Sequence, residues 1–407
     1  MTGPRRVAVT GIGCLSAAGS GVEFWRTLLN GKPAFGPVDA DGGTPVVPLA
    51  GVVKGFEPAD YMDRRISNQT DRHTQFGLGA AQLALADAGL DPAALDPNRV
   101  GVVMANNLGG STFGEEQLAN LHQRGGQRVS AYMAIAWFYA ATIGQISIRY
   151  GFKGYSKTHV GERAGALIAL GDAAAALQRG EIDLCLAGGC EAPLSPYAML
   201  GYADAGLLSR TGRYAPFDVR RDGLVLGEGG AVLILEEWDH AHRRGARVYA
   251  ELCGFGHTCD GYDYRESAPD GAQYARAIRT ALSKARVNLP DVRLVLPDAA
   301  GGTAADAREA RAIRQAFGKH TDSLLVACPK AIFGHTFGAS GAFDTAIACM
   351  SLYNRAVPPI RDGIDVDPEC ALPLVVDRSP FLYSGAAAIL GTARGGINAA
   401  LVACPPS

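Results

Sequence analysis

The sequence predicts an α/β protein built from two related halves, and three observations carry that prediction. Short apolar runs rich in β-branched residues alternate with longer segments of helical pattern along the whole chain. The alternation starts over in the stretch Val248–Gly256, after the charged turn DHAHRRGAR. Two segments also echo each other: ERAGALIALGDAAAAL from Glu162 and GHTFGASGAFDTAIACMSLY from Gly334. Both are rich in Gly and Ala and apolar nearly all round, the pattern of helices buried between sheets and not of helices lying on a surface.

Taken in order, RRVAVTG reads as the first strand, followed by helices over Val22–Leu29 and Thr74–Ala88 and a strand in RVGVVMA. A second round of strands follows in IDLCLAGG, AVLILEEW, RVYAELCGFG, RLVLPDAAG, SLLVACPK and PLVVDRS, with a helix over Ala272–Lys284. No Pro/Ser-rich linker marks the junction, so the halves 1–250 and 251–407 are expected to be fused into one unit. In LGGSTFGEEQLANL, Thr112 followed by Glu115 has capping-box spacing and predicts a helix start, with Ser111, Gly114, Leu118 and Leu121 on one face.

Composition narrows the function. With 407 residues, 48% of them hydrophobic, the chain can bury a large core. Its 38 Lys and Arg nearly cancel 40 Asp and Glu, which argues against nucleic acid or an anionic membrane as partner. Nine scattered cysteines form no CxxC pair and no His/Cys cluster of metal-ligand spacing, so they read as reduced, mostly buried thiols, and no metal or other cofactor is expected. The N-terminus runs straight into a strand pattern without a signal-type apolar region, and no apolar run reaches the ~18 residues of a spanning helix, which predicts a cytoplasmic protein. GIGCLSAAG has Ser16 where a dinucleotide loop needs its third glycine, and LGEGGAV lacks the GK[ST] ending of a phosphate loop; tight backbone packing is the expected use of both.

Four blocks together resemble the β-ketoacyl synthases: RRVAVTGIGCLSAAGSGVEFWRTLLNGK, RYAPFDVRRDGLVLGEGGAVLILEE, PKAIFGHTFGASGA and the closing GGINAALV. The resemblance spans nearly the whole chain and implies the thiolase fold, a five-layered αβαβα arrangement with two central buried helices. In that family a cysteine opens the central helix and two histidines complete the site. Aligning LIAL, Leu167–Leu170, with the family's LxAL places Arg163 at the cysteine, and RLVLPDAAGGT places Asp298 at the first histidine. Lys330 and His335 match the family, and Glu309 falls where it keeps a glutamate. Thr392 and Arg394 replace both phenylalanines of the gating loop.

These replacements remove the chemistry of condensation. A thiolate must hold the acyl chain, and an imidazole pair must assist decarboxylation and stabilise the enolate oxygen. A guanidinium stays protonated and is no nucleophile. A carboxylate beside it stays ionised and cannot donate a hydrogen bond. The expected catalytic set is therefore none. Arg163 reads as a filler held by the nearest acid, against the alternative of a catalytic cation, and Lys330 and His335 read as inherited residues with structural hydrogen bonds. A relocated nucleophile at Cys190 or Cys328 would need a base and a depressed pKa, and both read as buried core thiols.

The chain is similar in particular to the chain length factors of bacterial type II polyketide synthases, on the Gly109–Ala140 region that includes AYMAIAWFYA. It is an atypical member, since most carry glutamine at the position of Arg163 and many carry arginine at that of His335. The resemblance implies a heterodimer with a cysteine-bearing ketosynthase alpha subunit, and an acyl carrier protein that brings the chain on phosphopantetheine. It also implies a tunnel bordered by Ser111, Gly114, Leu118 and Tyr197. The aromatic residues Phe113, Tyr132, Trp137 and Phe138 are expected to serve both core and subunit contact. The competing reading is a stand-alone enzyme, either a malonyl-carrier-protein decarboxylase or a condensing enzyme with a displaced nucleophile.

Overall fold

The computed structural model describes residues 5–38, 46–360, 363–377, 380 and 384–406. One mixed sheet runs through the molecule. Its strands lie in the order Leu325–Val326, Val292–Leu296, Ala386–Ala393, Ile397–Cys404, Ala250–Cys259, Val7–Ser16, Gly229–Glu237, Leu184–Glu191, Val100–Ala105, Ser156–His159.

This order is one topology used twice. From Val7–Ser16 outward, the pairings run antiparallel, antiparallel, parallel, parallel. From Ala250–Cys259 outward in the other direction, the same series recurs. In each half the first strand sits innermost, the last strand beside it, and the second and third at the edge. The two innermost strands join the halves through the antiparallel register Ala8↔Glu251 and Val9↔Ala250.

Helices follow the same repeat. Arg72–Asp87 packs on Val7–Ser16 and Gly229–Glu237, and Ala272–Ala285 packs on Ala250–Cys259 and Ile397–Cys404. The two Gly/Ala-rich segments form Gly165–Gln178 and Ser340–Asn354, which touch each other and strands of both halves. This makes the inner layer of an αβαβα stack, and it explains why both helices are apolar all round: each has sheet on both sides. Small residues let the pair approach closely. A Cβ added at Gly341 would lie 2.6 Å from Leu167 Cγ and 3.0 Å from the Leu167 backbone nitrogen. The LGEGG turn is packed as tightly, with a Cβ at Gly229 (φ 145°) meeting the Leu15 carbonyl oxygen at 2.1 Å.

Several sequence expectations are corrected here. PLVVDRS forms no strand: Leu374 and Val376 make only isolated bridges, and residues 378 and 379 lie outside the described residues. Beside the two-residue strand Leu325–Val326 there is little ladder to extend, and Pro373 has no N–H to give it. Polar Ser156–His159 is an edge strand without an apolar pattern to announce it. Helix Ser111–Arg124 starts at Gly110 without a capping box. Asp71 Oδ2 accepts from Phe113 N at 2.8 Å instead, and Glu115 is taken by Ser195 Oγ and by Tyr197 N at 3.3 Å.

The PFDVRRDG block is structural. Asp218 accepts from Arg220 N at 2.7 Å and Asp365 N at 2.8 Å, while Arg221 Nη1 reaches Asp367 at 2.6 Å. The tightest test of the packing between the two central helices is Gly341→Leu. It should cost about 1–3 kcal/mol or more in urea unfolding, because neither central helix can retreat from the sheets around it.

Candidate functional site

The site lies where the first turn of one central helix meets the loops that follow two strands of the other half. Arg163 sits in the turn Glu162–Ala164 that leads into helix Gly165–Gln178. Glu162 holds φ 47°, an uncommon value for a residue with a side chain, and the topologically matching Phe337 holds φ 40°. Such strain, worth about 1–3 kcal/mol each, marks sharp turns that present a side chain to a site.

The structure brings Arg163 and Asp298 together. Their Nε and Oδ2 atoms are 3.1 Å apart, with side chains 6% and 2% exposed. Arg163 Nε also donates to the Thr392 carbonyl at 3.0 Å. Asp298 follows strand Val292–Leu296, and its backbone N–H, with that of Ala299, donates to Glu309 at 2.8 Å. Tyr274 OH donates to the same Glu309 carboxylate at 2.8 Å.

Lys330 and His335 complete the floor. Lys330 Nζ donates to Asp344 at 2.5 Å and to the Pro297 carbonyl at 2.7 Å. His335 Nδ1 accepts from Phe337 N at 3.1 Å, so its proton sits on Nε2, which faces Asp298 Oδ1 at 3.5 Å. Two cations therefore oppose two anions, all buried.

Electrostatics follow from this matching. Burial opposes ionisation of Asp298, but Arg163, His335 and Lys330 hold its pKa below the ordinary carboxylate value. Burial likewise opposes the Lys330 charge, yet Asp344 and Asp298 raise its pKa above that of an ordinary lysine. Burial lowers the pKa of His335 and keeps it neutral, against the pull of Asp298. Glu309 is pushed up to about 7 by burial and by Asp298. Asp298 is thus an anion that only accepts, at a place where a hydrogen-bond donor to an enolate oxygen would have to stand.

Neither thiol considered as a relocated nucleophile is activated. Cys190 and Cys328 are buried, and burial pushes the Cys190 thiol up to about 12 and the Cys328 thiol well above its ordinary value. The gate is rebuilt with charge: Arg394 donates to Glu162 through its backbone N and its Nε, both at 2.7 Å. Thr392 Oγ1 accepts from Arg308 at 2.9 Å, and Arg308 in turn reaches Asp260 at 2.8 Å. Sequence reasoning missed Asp344, Glu162 and Arg308. The signal for Asp344 was present, since a lone acid inside the apolar run GAFDTAIA requires a buried counter-charge.

Ser111, Gly114 and Leu118 share helix Ser111–Arg124, and the residues expected to border a tunnel differ in exposure. Gly114 is buried against Trp137, whose Cδ1 would lie 3.1 Å from an added Cβ. Ser111 is half-buried with its Oγ unpartnered, while Leu118 and Tyr197 are 52% and 77% exposed. Tyr132, Trp137 and Phe138 are exposed surface residues and not core, and Phe113 is half-buried.

Fold and site together define a condensing-enzyme architecture whose nucleophile and first imidazole are replaced by an ion pair. Models of the β-ketoacyl synthase N-terminal and C-terminal domains match residues 4–241 and 249–363. The chain belongs to the β-ketoacyl synthase family, among the beta subunits of bacterial type II polyketide synthases. It is 39% identical over 99% of both chains to the tetracenomycin polyketide synthase ketoacyl synthase beta subunit of Streptomyces glaucescens. It is 36% identical to the actinorhodin polyketide putative beta-ketoacyl synthase 2 of Streptomyces coelicolor, over 97% of this chain and 98% of the relative. Among solved structures, the ishigamide ketosynthase/chain length factor superposes with a TM-score of 0.93 at 26% identity, covering 99% of this chain and 100% of that one.

The ion pair yields a prediction about stability. Arg163→Met or Asp298→Leu alone should each cost about 3–5 kcal/mol, because each strands a buried charge. The double substitution should cost less than either single one, as read in a double-mutant cycle by denaturant unfolding.

Proposed function

We propose that this chain is a non-catalytic chain length factor. It pairs with a cysteine-bearing ketosynthase and shapes the tunnel in which a carrier-bound polyketide grows, in the cytoplasm. The observation that carries this reading is the buried Arg163–Asp298 pair, which leaves neither a nucleophile nor a donor for the enolate oxygen. The two halves, 1–250 and 251–407, supply one side of the site each.

An exposed apolar belt supports the pairing. Leu118 and Leu121 on helix Ser111–Arg124, Ile135 and Trp137 on the turn packed against it, and Tyr197 and Leu200 on helix Pro196–Asp204 are all 41–77% exposed. Glu115 ties the last helix to the first. Apolar surface of this extent on neighbouring elements marks a protein interface. A stand-alone condensing enzyme would need an accessible activated thiol, and the two candidates are inert.

Two measurements test the assignment. Phe138→Glu, which puts a charge beside Trp137 at the edge of the belt on an exposed residue, should abolish co-purification with a cysteine-bearing ketosynthase partner while leaving the rest of the fold untouched; unchanged co-purification would remove the belt from the interface. In the intact pair, Leu118→Trp should shift carrier-bound products to shorter chains and Leu118→Ala to longer ones, read by mass spectrometry. An unaltered length distribution from both active complexes would take Leu118 out of the tunnel wall. Gly114 is less suited to this test, because a larger residue there would press on Trp137.

A further inference from the structure

Arg163 is more than a filler. Its Nε bonds Thr392 and pairs with Asp298, yet among the described residues neither of its two terminal nitrogens donates to a protein acceptor. Those nitrogens are not sealed in the core either. Arg163 lines a cleft of about 690 Å³ that opens between the loops after Asp204, Asp260 and Pro297, so a side chain 6% exposed presents its free end there. Pockets for small ligands fall within roughly 300–1,000 Å³.

Guanidinium groups dominate the surface that faces this cleft, with most of their carboxylate partners behind them. Arg265, Arg308, Arg311 and Arg394 line it with Arg163, against Asp204 and Glu266. Three of these arginines are anchored from behind, Arg308 by Asp260, Arg311 by Glu369 and Arg394 by Glu162, which fixes their positions. Arg265 has no carboxylate partner among the described residues and rests over the Tyr264 ring, 5.1 Å from its centroid. A guanidinium whose Nε is fixed by Thr392 and Asp298, with its pair of terminal N–H donors free at the floor of the cleft, matches the geometry of one oxyanion.

We propose that the vacated site is an anion-binding cleft, in which the terminal nitrogens of Arg163 hold the carboxylate or phosphate group of a small ligand and Arg265 at the wall contributes charge. The ligand is bound and not converted: the position of the family's nucleophile is held by Arg163, and Asp298 is paired with it. This role is independent of tunnel shaping, so its failure would leave the chain-length reading standing.

The test uses the purified complex with its ketosynthase, titrated with malonate and, separately, with inorganic phosphate by calorimetry. Three forms are compared: wild type, Arg163→Met and Ala304→Glu in this chain. Comparison within one complex subtracts any site on the partner. Ala304 is exposed on the first turn of helix Thr303–Phe317 and lines the cleft, so the glutamate adds a repelling charge without touching the ion pair. The expected result is saturable binding of at least one anion in wild type, weakened roughly 30-fold or more in Arg163→Met, as removal of one member of a buried charge pair implies. Ala304→Glu should weaken the same binding, and it decides the matter if Arg163→Met does not fold. A preference for malonate assigns a carboxylate ligand and a preference for phosphate a phosphorylated one. Binding that is absent from wild type for both anions, or unchanged by Ala304→Glu, overturns the proposal.

Discussion

Everything distinctive about this protein depends on charge matching in a site that excludes water. In a condensing enzyme a cysteine and a histidine stand at the positions of Arg163 and Asp298. This chain keeps permanent charges: Arg163 against Asp298, and Lys330 against Asp344. A buried guanidinium without its carboxylate would be strongly unfavourable, as would the reverse, so the two substitutions are only tolerable together. Once both are present, the site can no longer form a thioester or stabilise an enolate. The loss of chemistry and the retention of the fold have the same physical cause.

The pairing also reorganises its surroundings. Arg163 bonds the carbonyl of Thr392, and Glu162 beside it clasps Arg394, so the loop that replaces the family's aromatic gate is fastened by polar contacts to the turn it once covered. Two phenylalanines can swing; a loop held by an ion pair and backbone bonds at both ends has fewer alternatives. The entry to the site becomes a cleft lined by arginines. Asp71 and Glu115 act in the same way elsewhere, since they set the start of helix Ser111–Arg124 and its attachment to the helix that carries Tyr197.

Much of this was legible in the sequence, for reasons that differ by element. The two central helices were evident because a helix between sheets must be apolar all round, and no surface helix shares that pattern. The duplicated halves followed from the restart of the strand rhythm near Val248. Arg163 and Asp298 stood out because the resemblance to the β-ketoacyl synthases places them at the cysteine and the first histidine, and their charges are complementary. What escaped was set by tertiary contact alone. Ser156–His159 pairs at an edge with polar residues, and Thr112 and Glu115 have the spacing of a capping box while Asp71, far away in sequence, performs the capping. The exposure of Tyr132, Trp137 and Phe138 was hidden for the same reason. An aromatic run reads as core until the fold shows that it faces outward, where a second chain can cover it.

The central claim is that this chain never carries the acyl group, and one measurement addresses it directly. The complex is incubated with carrier protein loaded with an acyl starter, quenched, and both chains are weighed by intact-protein mass spectrometry. The account predicts the mass of the acyl group on the ketosynthase partner and none on this chain, with no adduct on Cys190 or Cys328. An acyl adduct on any residue of this chain, removed by subsequent chain extension, would contradict it.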